Sequence, residues 1–326
     1  MKQATAMARA NIAFVKYWGK RDAALNLPQA GSLSVTLDGL GTRTTVSFGV
    51  SEQDELQIDG QPASGAALAK ALRVVDPIRA RAGLQQPVRI VSANDFPTGA
   101  GLASSASGLA ALTVAAAGAA ELDLSPTELS VVARLGSGSA CRSIFGGYVQ
   151  WQAGSAANGS DSHARQLFPP EHWDLRVVVA VTAEGPKAVD STRGMLRTGA
   201  ASPYHRAFVD AVDGDLTEAG EAIARRDLAR LGRVAERSCL RMHAAMMASD
   251  PPLIYLTAHS WQVIEAARGL QAAGVGVFFT ADAGPNVKLF CEPDALPVVQ
   301  QTVEALSGVR RTILARPGQG PRVVPA

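Results

Sequence analysis

The chain has 326 residues, of which 47% are apolar and 18% are charged. This length and composition are typical of a protein that buries a sizeable core, and we expect two domains or one large one. The 31 basic and 29 acidic residues give a formal charge of +2, which argues against the extended basic surface that nucleic acids and anionic membranes require. Any anionic partner is therefore expected to bind at a local site.

The cysteine pattern predicts a reduced protein. Cys141, Cys239 and Cys291 are scattered and lack a C-x-x-C spacing, so we expect neither a disulfide framework nor a zinc site. We also expect no membrane segment, because no basic and then apolar leader opens the chain and the apolar run over residues 106–122 is short and interrupted by glycine. These features favour a cytoplasmic location.

The first predicted elements are strands. Residues 42–49 and 88–91 are rich in β-branched residues, which predicts one strand over each range. A loop rich in glycine and serine then covers residues 97–108, and the alanine-rich run over residues 106–120 is predicted to be the helix that this loop opens.

The next helix has a strong local start signal. Ser125 supplies an N-cap, Pro126 occupies the first helical position and Glu128 the third, so we predict a helix that runs through Leu135. A strand is predicted over residues 146–152.

The second half continues the mixture of helices and strands. The near-continuous apolar run over residues 175–182 predicts a strand buried on both faces, with a domain change near it. Asp215 is predicted to open a helix, and apolar residues repeat at helical spacing over residues 228–235.

The last predicted elements form a hairpin and a tail. Strand-like runs over residues 275–279 and 287–291 are separated by the turn residues 282–286. We expect that turn to lie at the end of a sheet. Residues 316–326 are rich in proline and glycine, which predicts a tail with little intrinsic order.

The loop over residues 97–108 has the composition of a phosphate-binding loop. Glycines let the backbone approach an anion, a helix start offers unpaired N–H groups, and serine hydroxyls can bind phosphate or Mg²⁺. A Walker A loop is excluded because Gly-Lys-Ser/Thr is absent. A dinucleotide fingerprint stays open, since Gly99 and Gly101 begin a G-x-G pattern and Glu121 follows at a suitable spacing, although Ser104 replaces the third glycine. An ordinary loop is the third alternative.

Other segments carry side chains that commonly bind ligands. Residues 136–143 place Arg142, which can hold a carboxylate or phosphate through two hydrogen bonds, among small residues. Asp282 lies in the turn between two apolar strands, where a turn-stabilising role is the ordinary interpretation. Residues 11–22, taken alone, are typical of a solvated turn. They include Lys16, Tyr17, Trp18, Lys20 and Arg21.

Together these segments resemble the GHMP family of small-molecule kinases. The resemblance implies an α+β fold, the GHMP kinase fold, with an N-terminal ribosomal-protein-S5-like domain over residues 1–185. It implies a C-terminal ferredoxin-like α/β-sandwich domain over residues 186–326, with the active site in the cleft between the two. The matching motifs are NIAFVKYWGKRD (11–22), SLSVTL (32–37), DFPTGAGLASSASG (95–108), GSGSACRSIFGG (136–147) and DAGPNVK (282–288), with further agreement at residues 187–195 and 241–243.

Within this family, the motifs are most similar to those of members that decarboxylate their substrate. The resemblance implies ATP- and Mg²⁺-dependent conversion of (R)-5-diphosphomevalonate to isopentenyl diphosphate, ADP, phosphate and CO₂, in the mevalonate pathway. It also implies a cytoplasmic homodimer. The alternative within the family is a kinase or decarboxylase that acts on mevalonate or phosphomevalonate. A non-catalytic phospholigand-binding protein and an NAD-dependent oxidoreductase are the alternatives outside it.

The resemblance also implies a role for each candidate residue. Asp282 is expected to orient the C3 hydroxyl and accept its proton, Lys16 to balance charge at the reacting centre, and Arg142 to hold the substrate carboxylate. Ser105 is expected to contact Mg²⁺ carried by ATP, and His243 is the weakest candidate. The residues expected to bind the substrate diphosphate are Tyr17, Lys20, Ser137, Gly138, Ser139 and Arg193. Those expected to bind ATP are Ser92, Asn94, Gly99, Ala100, Gly101, Leu102, Ala103, Ser104, Ser105, Ser107, Lys187, Ser191 and Met195.

Overall fold

The structure is a computed structural model that describes residues 2–95, 104–185 and 187–325, with the backbone alone described at Ser104. Within these ranges the chain forms strands and helices in mixed order, and the predicted α+β class is confirmed. The helices that the structure describes include none long and apolar enough to cross a membrane.

The strands of the first half are β1 (Lys2–Val15), β2 (Lys20–Asp22), β3 (Leu27–Pro28), β4 (Ser32–Phe48), β5 (Glu55–Ile58), β6 (Gln61–Ala63), β7 (Val88–Asn94), β8 (Tyr148–Trp151) and β9 (Ala164–Phe168). Those of the second half are β10 (Arg176–Val181), β11 (Val277–Ala281), β12 (Val287–Cys291), β13 (Arg311–Pro317) and β14 (Arg322–Val324).

The helices are α1 (Ala66–Arg81), α2 (Ser104–Ala119), α3 (Pro126–Gly136), α4 (Ser191–Ala201), α5 (His205–Asp210), α6 (Val212–Arg225), α7 (Leu228–Met247), α8 (Ala258–Ala272) and α9 (Leu296–Glu304). Short 3₁₀ helices cover Gly138–Ile144, Pro170–His172 and Pro293–Ala295.

The long strand β4 organises the sheet. It pairs antiparallel with β1, from Phe48 opposite Lys2 to Leu33 opposite Val15, and also pairs with β7 and β8. The strands β11, β12, β10 and β13 follow one another in the other half of the sheet. This half joins the first through Arg316 opposite Asp38 on β4.

The sheet order bears on the predicted division at residue 185. Strand β10 precedes that position, yet it pairs with β12 and β13 from the second half of the chain. In the opposite direction, β14 pairs with β1. The chain therefore crosses between the two halves more than once, and the division into residues 1–185 and 186–326 stays a prediction.

An aromatic cluster joins β1 to the β11–β12 hairpin. The Phe14 ring meets the Phe290 ring edge-on at a centroid distance of 5.0 Å, and Phe278 stacks on Phe290 at 5.1 Å. All three side chains are buried in one core that draws on both halves of the chain. This packing brings the end of β1 close to the turn that follows β11.

Most of the predicted elements are present. The helix start at Ser125 is confirmed: the Ser125 hydroxyl accepts the Glu128 N–H at 3.3 Å, and the Glu128 carboxylate accepts the Ser125 N–H at 2.9 Å. The hairpin around residues 282–286 is confirmed by the antiparallel pairing of β11 with β12. The buried strand predicted over residues 175–182 is β10.

The predicted helix start at Asp215 is wrong. Helix α6 begins at Val212, and Asp215 lies inside it, 3% exposed. Its carboxylate pairs with Arg237 Nη2 of α7 at 2.7 Å. Local sequence favoured Asp215 as a helix cap that accepts nearby backbone N–H groups, whereas its carboxylate pairs with an arginine of another helix.

The predicted tail over residues 316–326 is also wrong. The end of β13 pairs with β4, and β14 places Val324 opposite Thr5 of β1. The proline and glycine content is compatible with order here because neighbouring strands supply the hydrogen bonds, a tertiary effect that local composition does not reveal.

Candidate active site

A cavity of about 430 Å³ lies where β1, the 3₁₀ helix Gly138–Ile144, the start of α4 and the turn after β11 meet. It collects most of the predicted catalytic and substrate-binding residues. Its lining includes Asn11, Lys16, Tyr17, Lys20, Asn26, Lys70, Ser105, Ser137, Gly138, Ser139, Arg142, Lys187, Asp190, Ser191, Thr192, Met195, Met242 and Asp282.

The Asp282 carboxylate is held between two lysines. Lys16 Nζ lies 2.7 Å from Asp282 Oδ1, and Lys288 Nζ lies 3.3 Å from Oδ2. Each lysine side chain is 1% exposed, whereas that of Asp282 is 29% exposed to the cavity. Burial acts to raise the pKa of Asp282, but the two ammonium groups outweigh it and hold the pKa well below its usual range. Asp282 is therefore ionised at neutral pH.

Arg142 is buried and anchored by neutral side chains. Its Nε donates to the Ser34 hydroxyl at 3.0 Å, Nη1 to the Ser32 hydroxyl at 2.6 Å, and Nη2 to Asn11 Oδ1 at 2.9 Å. No carboxylate neutralises it at hydrogen-bond distance within the described ranges. A guanidinium has five N–H donors, so each terminal nitrogen keeps one for an anionic ligand.

Tyr17 and the loop at Gly138 form one wall of the cavity. The Tyr17 hydroxyl is buried and has no hydrogen-bond partner among the described residues. Burial raises the pKa of Tyr17, so the hydroxyl stays protonated and can donate. A Cβ atom at Gly138 would lie 2.8 Å from both the Tyr17 and the Trp151 rings, which explains the glycine. Ser137 and Ser139 flank it, with their hydroxyls 3.3 Å apart.

A cluster of cations forms another wall. Burial, together with the nearby charges of Arg73 and Lys70, lowers the pKa of Lys20 to about 8. Lys20 Nζ donates to Asn26 Oδ1 at 2.5 Å, a neutral partner, and Asp190 is the acid that partly offsets the cluster. Such a concentration of positive charge favours a polyanionic ligand.

The start of α4 contributes further predicted residues. Lys187, Ser191 and Met195 line the cavity, and burial lowers the pKa of Lys187. Arg193 lies on the first turn of α4, but its side chain is exposed and outside the lining. The structure thus brings Lys187, Ser191 and Met195 to the site and does not bring Arg193 there.

The remaining predicted ATP ligands are not all at the cavity. Ser105 lines it, whereas the hydroxyls of Ser92 and Ser107 bond to Thr44 and Thr42 of β4 at 2.9 and 2.7 Å. Asn94 accepts a hydrogen bond from Thr42 at 2.7 Å. The predictions for Gly99, Ala100, Gly101, Leu102 and Ala103, and for the Ser104 side chain, lie outside the described residues.

Sequence reasoning missed several residues of the site, and Asn11, Lys288 and Lys70 are the ones with the clearest contacts or charges. Asn11 accepts from Arg142 and donates to Ser143 Oγ at 2.8 Å, Lys288 contacts Asp282, and Lys70 faces Lys20. Asn11 and Lys288 lie inside the motifs NIAFVKYWGKRD and DAGPNVK, so a signal was present. Lys70 lies in a surface-like stretch of α1 and gave none.

Family models match most of the chain. Residues 8–164 match the diphosphomevalonate decarboxylase-like N-terminal domain, and residues 177–314 match the mevalonate 5-diphosphate decarboxylase C-terminal domain. The chain belongs to the diphosphomevalonate decarboxylase family.

Curated members of the diphosphomevalonate decarboxylase family are similar to this chain over most of their length. The diphosphomevalonate decarboxylase of Gibberella zeae is 40% identical over 94% of this chain and 86% of its own. That of Homo sapiens is 37% identical over 90% of this chain and 77% of its own.

Solved structures of the family share the GHMP kinase fold with this chain. The mevalonate diphosphate decarboxylase of Staphylococcus aureus superposes with a TM-score of 0.93 at 38% identity, over 99% of this chain and 98% of its own. A structure described as MDDEF in complex with MVAPP, AMPPCP and magnesium has a TM-score of 0.92 at 37% identity, over 99% of both chains.

Proposed function

We propose that this protein catalyses the ATP-dependent decarboxylation of (R)-5-diphosphomevalonate to isopentenyl diphosphate, ADP, phosphate and CO₂. The observation that carries the proposal is the meeting of Lys16, Asp282 and Arg142 at one cavity. An ionised acid paired with lysine suits hydroxyl activation, and a buried arginine with spare donors suits a carboxylate. The substrate carries a hydroxyl close to a carboxylate, so the acid and the arginine must lie next to each other.

The chemistry requires both phosphorylation and loss of CO₂. A tertiary hydroxyl is a poor leaving group, so the C3 oxygen takes the γ-phosphoryl group of ATP and gives up its proton. The C3–O bond then breaks and phosphate leaves with the bonding electrons. The C1–C2 bond breaks to release CO₂, and its electron pair forms the C2=C3 double bond.

The described residues can serve these steps. Asp282 orients the C3 hydroxyl. Its low pKa makes it a weak base, so it accepts the hydroxyl proton only as phosphoryl transfer proceeds. Lys16 balances the charge that accumulates at the reacting centre. Arg142 uses its two remaining N–H groups to hold the carboxylate until it leaves as CO₂.

The cationic wall accounts for the other end of the substrate. Lys20 and Lys70, with the Tyr17 hydroxyl and the Ser139 region, offer the donors that a diphosphate accepts. Among the predicted ligands, Arg193 has the weakest support, because its side chain is exposed.

ATP and its magnesium ion fit the part of the cavity beside α2. Ser105, near the start of α2, lines the cavity, as do Lys187, Ser191 and Met195 at and before α4. The residues that the structure describes contain no group of three or more His, Cys, Asp or Glu able to hold a metal. This fits Mg²⁺, which is commonly bound through substrate phosphates and few protein ligands. When bound, the ion neutralises phosphate charge.

A comparison of three substrates tests the proposal. Purified protein with ATP and Mg²⁺ is given mevalonate, its monophosphate or its diphosphate, and ADP and CO₂ are measured together. We expect equal amounts of ADP and CO₂ from the diphosphate alone. ADP without CO₂ would assign a kinase, and turnover of mevalonate or phosphomevalonate in preference to the diphosphate would contradict the substrate assignment.

We further propose a cytoplasmic homodimer. The three cysteines are free and buried, as expected in a reducing compartment. Sedimentation at working concentration measures the assembly directly, and a monomeric mass would refute the dimer.

A further inference from the structure

Helix α7 contacts the backbone on both sides of the Lys16–Asp282 pair. Ser238, Cys239 and His243 are all buried on α7, and Met242 lines the cavity. Residues with these spacings lie on one face of a helix. The pair itself joins residues that are 266 positions apart in sequence, so its geometry depends on how separate strands are held.

Strand β11, which leads into Asp282, lies at the edge of the sheet. The outer N–H and C=O groups of an edge strand have no neighbouring strand, and side chains of α7 take their place here. Glu236 Oε1 accepts the Phe279 N–H at 3.1 Å. Cys239 Sγ accepts the Ala281 N–H at 3.2 Å and donates to the Ala281 carbonyl oxygen at 3.4 Å. These contacts fix how far β11 extends toward the cavity.

The Cys239 thiol can make both contacts only while it is protonated. Burial raises the pKa of Cys239, so the S–H group is retained and donates while the sulfur accepts. Further along the same face, His243 lies near the backbone of Ala281 and Asp282, and burial lowers its pKa to about 4. At neutral pH the imidazole is therefore uncharged and does not compete with Lys16 for Asp282.

Ser238, the residue before Cys239, contacts Lys16, the other member of the ion pair. The Ser238 hydroxyl accepts the backbone N–H of Lys16 at 3.0 Å, immediately after β1 ends. Two consecutive residues of α7 thus hold Lys16 and the residue that precedes Asp282. The 2.7 Å contact between Lys16 Nζ and Asp282 Oδ1 therefore joins two backbone segments that Ser238 and Cys239 hold in place.

We propose that Cys239 and Ser238 are positioning residues of the active site, which hold the ends of β11 and β1 so that Asp282 and Lys16 meet the C3 hydroxyl together. The inference rests on the proposed function. Loss of the thiol leaves the Ala281 backbone groups without their partner and lets the carboxylate shift. A displacement of about 1 Å at a reacting group can lower a rate by roughly 100-fold.

Three cysteine variants test the proposal. Cys239→Ala is expected to lower kcat by roughly 10- to 100-fold with KM for both substrates unchanged. Cys239→Ser is expected to restore most of kcat, because a hydroxyl also donates and accepts. Cys291→Ala is the matched control, since Cys291 is equally buried but lies on β12 opposite Val277, at the other end of the hairpin from Asp282. It is expected to lower Tm while kcat is retained.

Crystal structures of the same variants give a readout that does not depend on turnover. The Lys16 Nζ to Asp282 Oδ1 distance is expected to lengthen in Cys239→Ala and to stay short in the other two. Wild-type kcat in Cys239→Ala, an equal loss in Cys291→Ala, or an unchanged ion-pair distance would overturn the positioning role. A wild-type enzyme that releases no CO₂ would instead refute the proposed function, and the distances would still decide the positioning.

Discussion

Replacement of Arg142 by lysine is the sharpest test of the proposed carboxylate site. The guanidinium donates hydrogen bonds to Asn11, Ser32 and Ser34, which leaves one N–H on each terminal nitrogen for a ligand. A lysine retains the charge but presents it as a point, so it replaces the fork with one hydrogen bond. The loss of one charge-assisted hydrogen bond is about 1.5–3 kcal/mol, which corresponds to roughly a 10- to 150-fold fall in kcat/KM.

The assay measures CO₂ released from diphosphomevalonate labelled at C1, with ADP measured in parallel. Arg134→Lys is the control, because Arg134 is also a buried arginine but bonds to the backbone carbonyls of Leu25, Gly159 and Ser162. We expect this control to lower Tm and to keep most of kcat/KM. If Arg142→Lys has wild-type kcat/KM, or if Arg134→Lys loses as much, Arg142 does not hold the carboxylate.

Three other predictions concern separate parts of the molecule. Asp282→Ala should abolish release of CO₂ and ADP while calorimetry still detects ATP binding; substantial residual turnover would contradict its role. The Lys20 pKa of about 8 predicts that kcat/KM falls as pH rises through 8, and that Lys20→Arg moves this fall to higher pH; an identical profile would remove Lys20 from the site. Since the folded pKa of Lys20 lies below the usual lysine value of about 10.4, the charged form disfavours folding. The free energy of unfolding should therefore rise as pH increases from about 8 to about 10.4. Ser125→Ala should lower the free energy of unfolding by about 1 kcal/mol, measured in urea, with kcat unchanged.

Local chemistry was enough to predict several elements. The capping signal at Ser125 specifies its own hydrogen bonds, because the donor and acceptor groups are three residues apart. The turn after β11 is similarly local. By contrast, the full length of β1 and β4 was not predicted, since their order comes from pairing along nearly their entire lengths.

In the site, too, some features could be predicted from local sequence and others depend on tertiary packing. The motifs identified Lys16, Arg142 and Asp282, and all three line one cavity. Single residues taken alone looked ordinary because a lysine at the end of a strand and an aspartate in a turn are common. The motif DAGPNVK contains Lys288 but did not reveal that it contacts Asp282, six residues away across the turn. Sequence gave no sign of Lys70, because its place near Lys20 depends on how α1 packs against a distant part of the chain.

The pairing of β14 with β1 has a consequence for the order of synthesis. Thr5 leaves the ribosome long before its partner Val324, because more than 300 residues separate the two in sequence. Because translation proceeds at about 5–20 residues per second, this edge of β1 stays unpaired until β14 has been made. A chaperone that covers unpaired strand edges would therefore find its target on the nascent chain, and a stop codon placed just before β14 would make that transient state permanent.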